Sequence, residues 1–180
     1  MRTPEDDGEA GFTLVELLVT MSVIAGCLLG LIGMQLRALE TTTTARQRQQ
    51  ATQLANRTME QVRALPYTTV QMGLSSADLI APDPNLWNVS GVWRFRPTYH
   101  TSLDEPLVVS AAQVSAPLNP HVQPAASTRV GNTQYDVRAY VTWAGPTAAS
   151  GYWVTVVATW TPKQNSAPKS VALRSRIYAP

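Results

Sequence analysis

Apolar and polar positions divide this chain into three stretches. Residues Met1 to Gly11 are polar and include Pro4 and Gly8. A segment of that composition buries too little apolar surface to offset its ordering entropy, so 1–11 is expected to be disordered or processed away as a leader and lies outside the fold. From Phe12 the character changes abruptly. Leu14, Val15, Leu17, Leu18, Val19, Met21, Val23 and Ile24 lead into Leu28, Leu29, Leu31, Ile32 and Met34, and Glu16 is the one charge among them. Leu17 to Met34 runs 18 residues without a charge. In a helix that is about 27 Å, against a hydrocarbon layer of roughly 30 Å. The pattern predicts a single membrane-spanning helix, with residues 12–40 as its transmembrane half.

Past that stretch the helical period continues through Leu36, Leu39, Ala51, Leu54, Ala55, Met59, Val62 and Leu65, now on one stripe. The helix therefore changes from apolar all round to amphipathic. Pro66 is the predicted stop, because its ring pushes the preceding residue out of the α region. The expected helix runs from about Thr13 to Leu65. Four β-branched residues, Thr41 to Thr44, disfavour helix, so a kink or frayed turn is expected there between the membrane half and a soluble head of residues 41–180.

From Pro66 to Gly131 eight prolines, Pro66 included, interrupt the pattern, and only Val92 to Phe95 and Leu107 to Val109 suggest strands, so 66–131 is read as an irregular connection. The last third alternates cleanly. Tyr135, Val137, Ala139, Val141 and Trp143 form one face of a half-buried strand at about 134–144. Gly145-Pro146 to Gly151 makes a turn into a second strand, about 151–161, and Pro162 to Pro168 separates a third, about 170–178. Short connections favour an antiparallel meander. Its one greasy face needs a cover, and the Met59, Val62 and Leu65 stripe is the element long enough to supply it. The fold class is α+β, a long helix packed on a small antiparallel sheet.

Charge narrows the functional classes. The net charge is +2; Arg2 against Glu5, Asp6, Asp7 and Glu9 gives the leader −3, leaving +5 for the rest. Apart from Lys163 and Lys169 the cations are arginines scattered without a basic run, so DNA binding has no support in the residues. Cys27 is the single cysteine and closes no disulfide within the chain. His100, Ser102, Asp104 and His121 lack metal-ligand spacing and read as surface loop residues, so neither an enzyme nor a metal site nor a cofactor is expected. The five tryptophans are assigned to core packing and subunit contact, and Asn88-Val89-Ser90 matches a glycosylation acceptor pattern of little weight.

Gly11-Phe12-Thr13-Leu14-Val15-Glu16, followed by an apolar helix, resembles the processing and assembly signature of type IV pilins and type II secretion pseudopilins. The resemblance implies cleavage between Gly11 and Phe12 by a prepilin peptidase, N-methylation of Phe12, and partnership with other pilin or pseudopilin subunits in a filament. It also implies a single-pass inner-membrane protein with an extracytoplasmic head and no small-molecule substrate. Ala51-Thr52-Gln53-Leu54-Ala55 with Met59-Glu60 and Arg63, and the strand-rich ending, are similar to minor pilins of the PilV class and minor pseudopilins of the I class. Two features depart from the family: the leader is acidic, and the membrane helix has no proline.

Glu16 has a physical case of its own. A carboxylate costs roughly 2.5 to 3.5 kcal/mol at mid-membrane, less near the interface, so it needs a partner. The amine freed at Phe12 of a neighbouring subunit is the candidate, and Gly26 and Gly30, spaced as GxxxG with Gly33 following, permit close helix approach. Two alternatives stay open at this stage. Ile24-Ala25-Gly26-Cys27 fits a lipoprotein acylated at Cys27, although the apolar run continues past it to Met34, and a DNA-binding competence pilin shares the same N-terminal signature.

Overall fold

The computed structural model describes residues 13–75, 79, 83–100, 102–110, 128–145, 151–162 and 167–178. The chain divides into two compact units, Met1–Thr44 and Ala45–Pro180. Helix α1, Leu14–Arg63, begins in the first and ends in the second.

In the first unit the helix is apolar on every side and covered on none. Leu14 is 79% exposed, Leu29 71% and Met34 71%. It is the one helix among the described residues long and apolar enough to cross a membrane. In place of the expected frayed turn, Thr41–Thr44 is helical throughout. Thr41, Thr42 and Thr43 meet their hydroxyl needs within the helix, donating to the carbonyls of Arg37, Ala38 and Leu39 at 2.9, 2.8 and 2.8 Å.

The second unit is built on a four-stranded antiparallel sheet in the order β6-β7-β8-β9, formed by Thr128–Val130, Thr133–Trp143, Tyr152–Trp160 and Lys169–Ile177. The registers Val137↔Ala158↔Val171 and Val141↔Val154↔Ser175 place residues of like parity on one face. The C-terminal part of α1 covers that face through Ala51, Ala55, Met59 and Val62. Polar bonds seal the seam: Tyr135 donates its hydroxyl to Gln50 Oε1 at 2.8 Å, Gln47 Nε2 donates to Thr133 Oγ1 at 3.2 Å, and Arg63 Nη2 donates to Ser175 Oγ at 2.9 Å. After Arg63 the last turn tightens, with Leu65 N–H bonded to the Val62 carbonyl, and Pro66 starts the short helix α2, Tyr67–Val70.

The sheet has a second cover that the alternation does not reveal. Tyr140, Thr142, Thr155 and Val157, on the opposite face, are as buried as the helix-facing set. A three-stranded antiparallel sheet, β2 (Leu86–Val89), β3 (Val92–Phe95) and β4 (Glu105–Pro106), lies over them. The Phe95 and Tyr140 rings stand 4.5 Å apart. Ser90 and Gly91, both with positive φ at 52° and 85°, make the two-residue turn between β2 and β3, the geometry whose twist suits a tight hairpin. Leu107 bridges to Thr142, which ties this layer to the edge of β7. Strands β1 (Leu74–Ser75) and β5 (Val109–Ser110) form a small parallel pair. Gly73 sits where a Cβ would collide with the Val108 carbonyl.

The 66–131 connection is thus more ordered than its prolines suggest: its described part holds α2, six short strands and much of the core. The turn residues 146–150 and 163–166 and the whole stretch 111–127 lie outside the described residues. Ala51 and Ala55 are fully buried, so their small side chains set how near α1 lies to the sheet. Ala55→Leu is expected to lower head stability by about 1 to 3 kcal/mol through overpacking. Thermal unfolding of the full-length protein in detergent, followed by near-UV circular dichroism, checks it.

Candidate functional site

Gly11 and Phe12 lie outside the described residues; the site as seen begins at Thr13. Thr13 caps α1. Its carbonyl accepts the N–H groups of Glu16 at 3.0 Å and Leu17 at 3.2 Å, and its Oγ1 also accepts from Glu16 N–H at 3.3 Å. Glu16 is therefore the third residue of the first turn, in the Thr-x-x-Glu spacing of a capping box, with its carboxylate at the positive end of the helix dipole. The spacing was legible in the residues Thr13 and Glu16, and it gives both a local role that motif reading alone overlooks.

Glu16 is exposed and surrounded by exposed apolar side chains, Leu14, Val15, Leu17 and Val19 among them. Among the described residues nothing covers this surface. Further along the helix, Gly26, Gly30 and Gly33 have nothing within 4 Å of where a Cβ would stand, which leaves a smooth strip on α1. Cys27 is exposed on the same helix as a free thiol.

The head carries its charges in pairs. Arg138 Nη1 lies 2.9 Å from Asp83 Oδ2, and Arg138 Nη2 lies 2.9 Å from Asp136 Oδ2. The Tyr140 hydroxyl donates to Asp83 Oδ2 at 2.7 Å, and Asn85 Nδ2 donates to the same hydroxyl at 3.2 Å. Burial opposes the Arg138 charge, but bonds and charge from Asp136 and Asp83 outweigh it and raise its pKa. Burial first and then the Asp83 charge push the Tyr140 phenol well above its ordinary range. Hydrogen bonds from Arg94 and then Arg96 hold the Asp104 carboxyl below the usual carboxylate range. Arg174 pairs with Glu105 and lies 4.4 Å over the Trp153 ring. With Arg63 on Glu60 as well, these five arginines are each paired with a carboxylate.

The loop residues are not assembled into a reactive set. His100 Nδ1 and Ser102 Oγ are 3.1 Å apart and exposed, Asp104 is held by the two arginines, and His121 lies outside the described residues. Among the described residues no three His, Cys, Asp or Glu side chains group as metal ligands. Of the tryptophans, Trp160 is buried, Trp93 and Trp153 are half-buried, and Trp87 and Trp143 are exposed.

Residues 7–32 match the family signature described as the Prokaryotic N-terminal methylation motif. No curated protein and no solved structure matches the chain. The motif spans the end of the polar N-terminal segment, Gly11-Phe12, Glu16 and most of the apolar stretch that ends at Met34. With the long apolar helix and the antiparallel sheets that follow it, the match supports a type IV pilin-like precursor anchored in the membrane by a single helix.

Proposed function

We propose that this chain is a minor pilin or pseudopilin, a structural subunit and not a catalyst, of a type IV pilus-like or type II secretion-like filament. Prepilin peptidase cuts between Gly11 and Phe12, the new Phe12 amine is methylated, and the helix from Phe12 to about Leu65 anchors and then polymerises the subunit. The head is extracytoplasmic and serves to prime, cap or modify the filament. The observation that carries this reading is the exposed apolar N-terminal half of α1, with one carboxylate, Glu16, in its first turn directly after the Gly11-Phe12 motif. Such a surface is stable only in lipid or against sister helices, and the carboxylate finds its counter-charge in a neighbour's freed amine.

Co-expression with a prepilin peptidase is expected to give a mature chain whose N-terminal sequence starts at Phe12, with a methyl group on its amine by mass spectrometry. A chain that begins at a lipidated Cys27 would establish the lipoprotein instead. An uncut chain still carrying residues 1–11 would remove the amine on which the assembly role of Glu16 depends.

A further inference from the structure

Cations that lie far apart in the sequence gather at one end of the head. There Gln47 and Gln50 of α1 hydrogen-bond to Thr133 and Tyr135 at the start of β7. Arg46 and Arg48 flank Gln47 on the helix. Arg129 stands opposite Gln134 across β6 and β7, and Lys169 stands opposite Trp160, which itself pairs with Tyr135. Arg46, Arg48, Arg129 and Lys169 are all exposed, and none of them forms an ion pair among the described residues. Elsewhere in the head the reverse holds, since Arg63, Arg94, Arg96, Arg138 and Arg174 each hold a carboxylate. Arg57, further along α1, is exposed and also has none. Residues 45–54 of α1 contain no acid, and Asp136, next to Tyr135 on β7, is held by Arg138. Arg138 with its two carboxylates, Asp83 and Asp136, contributes one net negative charge. Four cations less that one leave +3 at this end.

We propose that Arg46, Arg48, Arg129 and Lys169 form a cationic patch that docks the head on anionic phospholipid headgroups. Like charges gathered in this way repel one another, and an anionic surface relieves that repulsion. The chain itself limits which surface that is. Apolar side chains suited to lipid end at Leu39, and α1 rises only about 12 Å from there to Gln47. A charged surface acts over about 8 Å in physiological salt, and the long arginine and lysine side chains shorten the remaining gap. Guanidinium groups also suit phosphate, which they grip with two parallel hydrogen bonds. The proposal rests on the membrane anchor alone and needs neither cleavage at Gly11 nor a filament. Its consequence is that docking favours the membrane-resident subunit, because the lipid contacts are given up when the subunit leaves the bilayer.

The test uses the full-length protein with Cys27→Ser and Asn132→Cys, labelled with a fluorophore at Asn132→Cys in the exposed turn between β6 and β7. Single copies are reconstituted in nanodiscs whose lipid headgroups carry a quencher. The ratio of docked to undocked heads is expected to be at least about tenfold higher in discs that are one-third phosphatidylglycerol than in phosphatidylcholine alone. It should collapse near 1 M salt, where the Debye length falls to about 3 Å. Arg48→Gln should lower the ratio about fivefold, and glutamine at all four positions should abolish the preference for the anionic lipid. Arg57→Gln, which removes an exposed cation outside the patch, should leave it unchanged. Equal quenching in the two lipids would overturn the proposal. So would a loss with Arg57→Gln as large as that with Arg48→Gln, since net charge would then be the cause. Retention of duplex DNA through the same four residues, with no response to anionic lipid, would reassign the patch to nucleic acid. A chain that fails to enter the disc would refute the membrane anchor, and the docking with it.

Discussion

Glu16→Ala is expected to leave the chain inserted in the membrane but to reduce its recovery in filaments by roughly ten- to a hundredfold, the equivalent of one charge-assisted hydrogen bond of about 1.5 to 3 kcal/mol. Insertion survives because Leu17 to Met34 is untouched, and the substitution removes the one charge that lipid penalises. Assembly suffers because the Phe12 amine of a neighbour would then be buried without a counter-charge, the costly half of a broken pair. Glu16 is also the third residue of a helix capped by Thr13, so loss of the cap has to be separated from loss of charge. Glu16→Gln does this, since a capping box accepts glutamine as well as glutamate. Incorporation as poor as that of the alanine variant assigns the effect to charge. Recovery to wild-type levels with glutamine would reduce Glu16 to a capping residue.

Asp83→Ala should be the most destabilising single change in the head, at about 3 to 5 kcal/mol, because it strands a buried guanidinium. The Asp83 side chain is 4% exposed and that of Arg138 12%. Asp83 also accepts the buried Tyr140 hydroxyl, so one truncation unpairs two groups in the seam between the β2-β3-β4 layer and the main sheet. Asp136 still holds Arg138 from the other side, which favours the lower end of that range. Replacing both partners, Asp83→Leu with Arg138→Met, should recover much of the loss, since an apolar pair of similar volume needs no hydrogen bonds. Chemical denaturation of the full-length variants in detergent, followed by tryptophan fluorescence, measures both. A single variant within about 1 kcal/mol of wild type would show that the pair is hydrated. Failure of the double variant to recover would show that the seam depends on the polar bonds themselves.

Where local pattern decides structure, reading and structure coincide. The period of three and four through Ala51, Ala55, Met59 and Val62 marks the face that α1 buries. The alternation in Tyr135 to Trp143, Tyr152 to Trp160 and Val171 to Ile177 marks three strands that pair as an antiparallel meander. Propensity alone marks Thr41–Thr44 as a weak turn, but the helix on either side nucleates it and the run stays helical. The short strands of 66–131 escaped notice because each spans only two to four residues, too few to show a period. The burial of Tyr140 and Thr142 escaped for a related reason: polar groups at alternate positions read as a solvent face, while Asp83, Asn85 and Glu105, which satisfy them, lie 37 to 57 residues away in the chain.

The residues by themselves determined the long apolar helix, the carboxylate in its first turn, the methylation-type motif around it and the strand-forming tail, because hydrophobic period, charge placement and a short contiguous motif are all properties of neighbours along the chain. Tertiary structure alone decided that the sheet is covered on both faces, that Arg138 is clamped by Asp83 and Asp136, and that Arg94, Arg96 and Arg174 are paired with Asp104 and Glu105. Those outcomes depend on which distant side chains meet across layers, and partner choice of that kind is set by packing and by the need to satisfy buried polar groups.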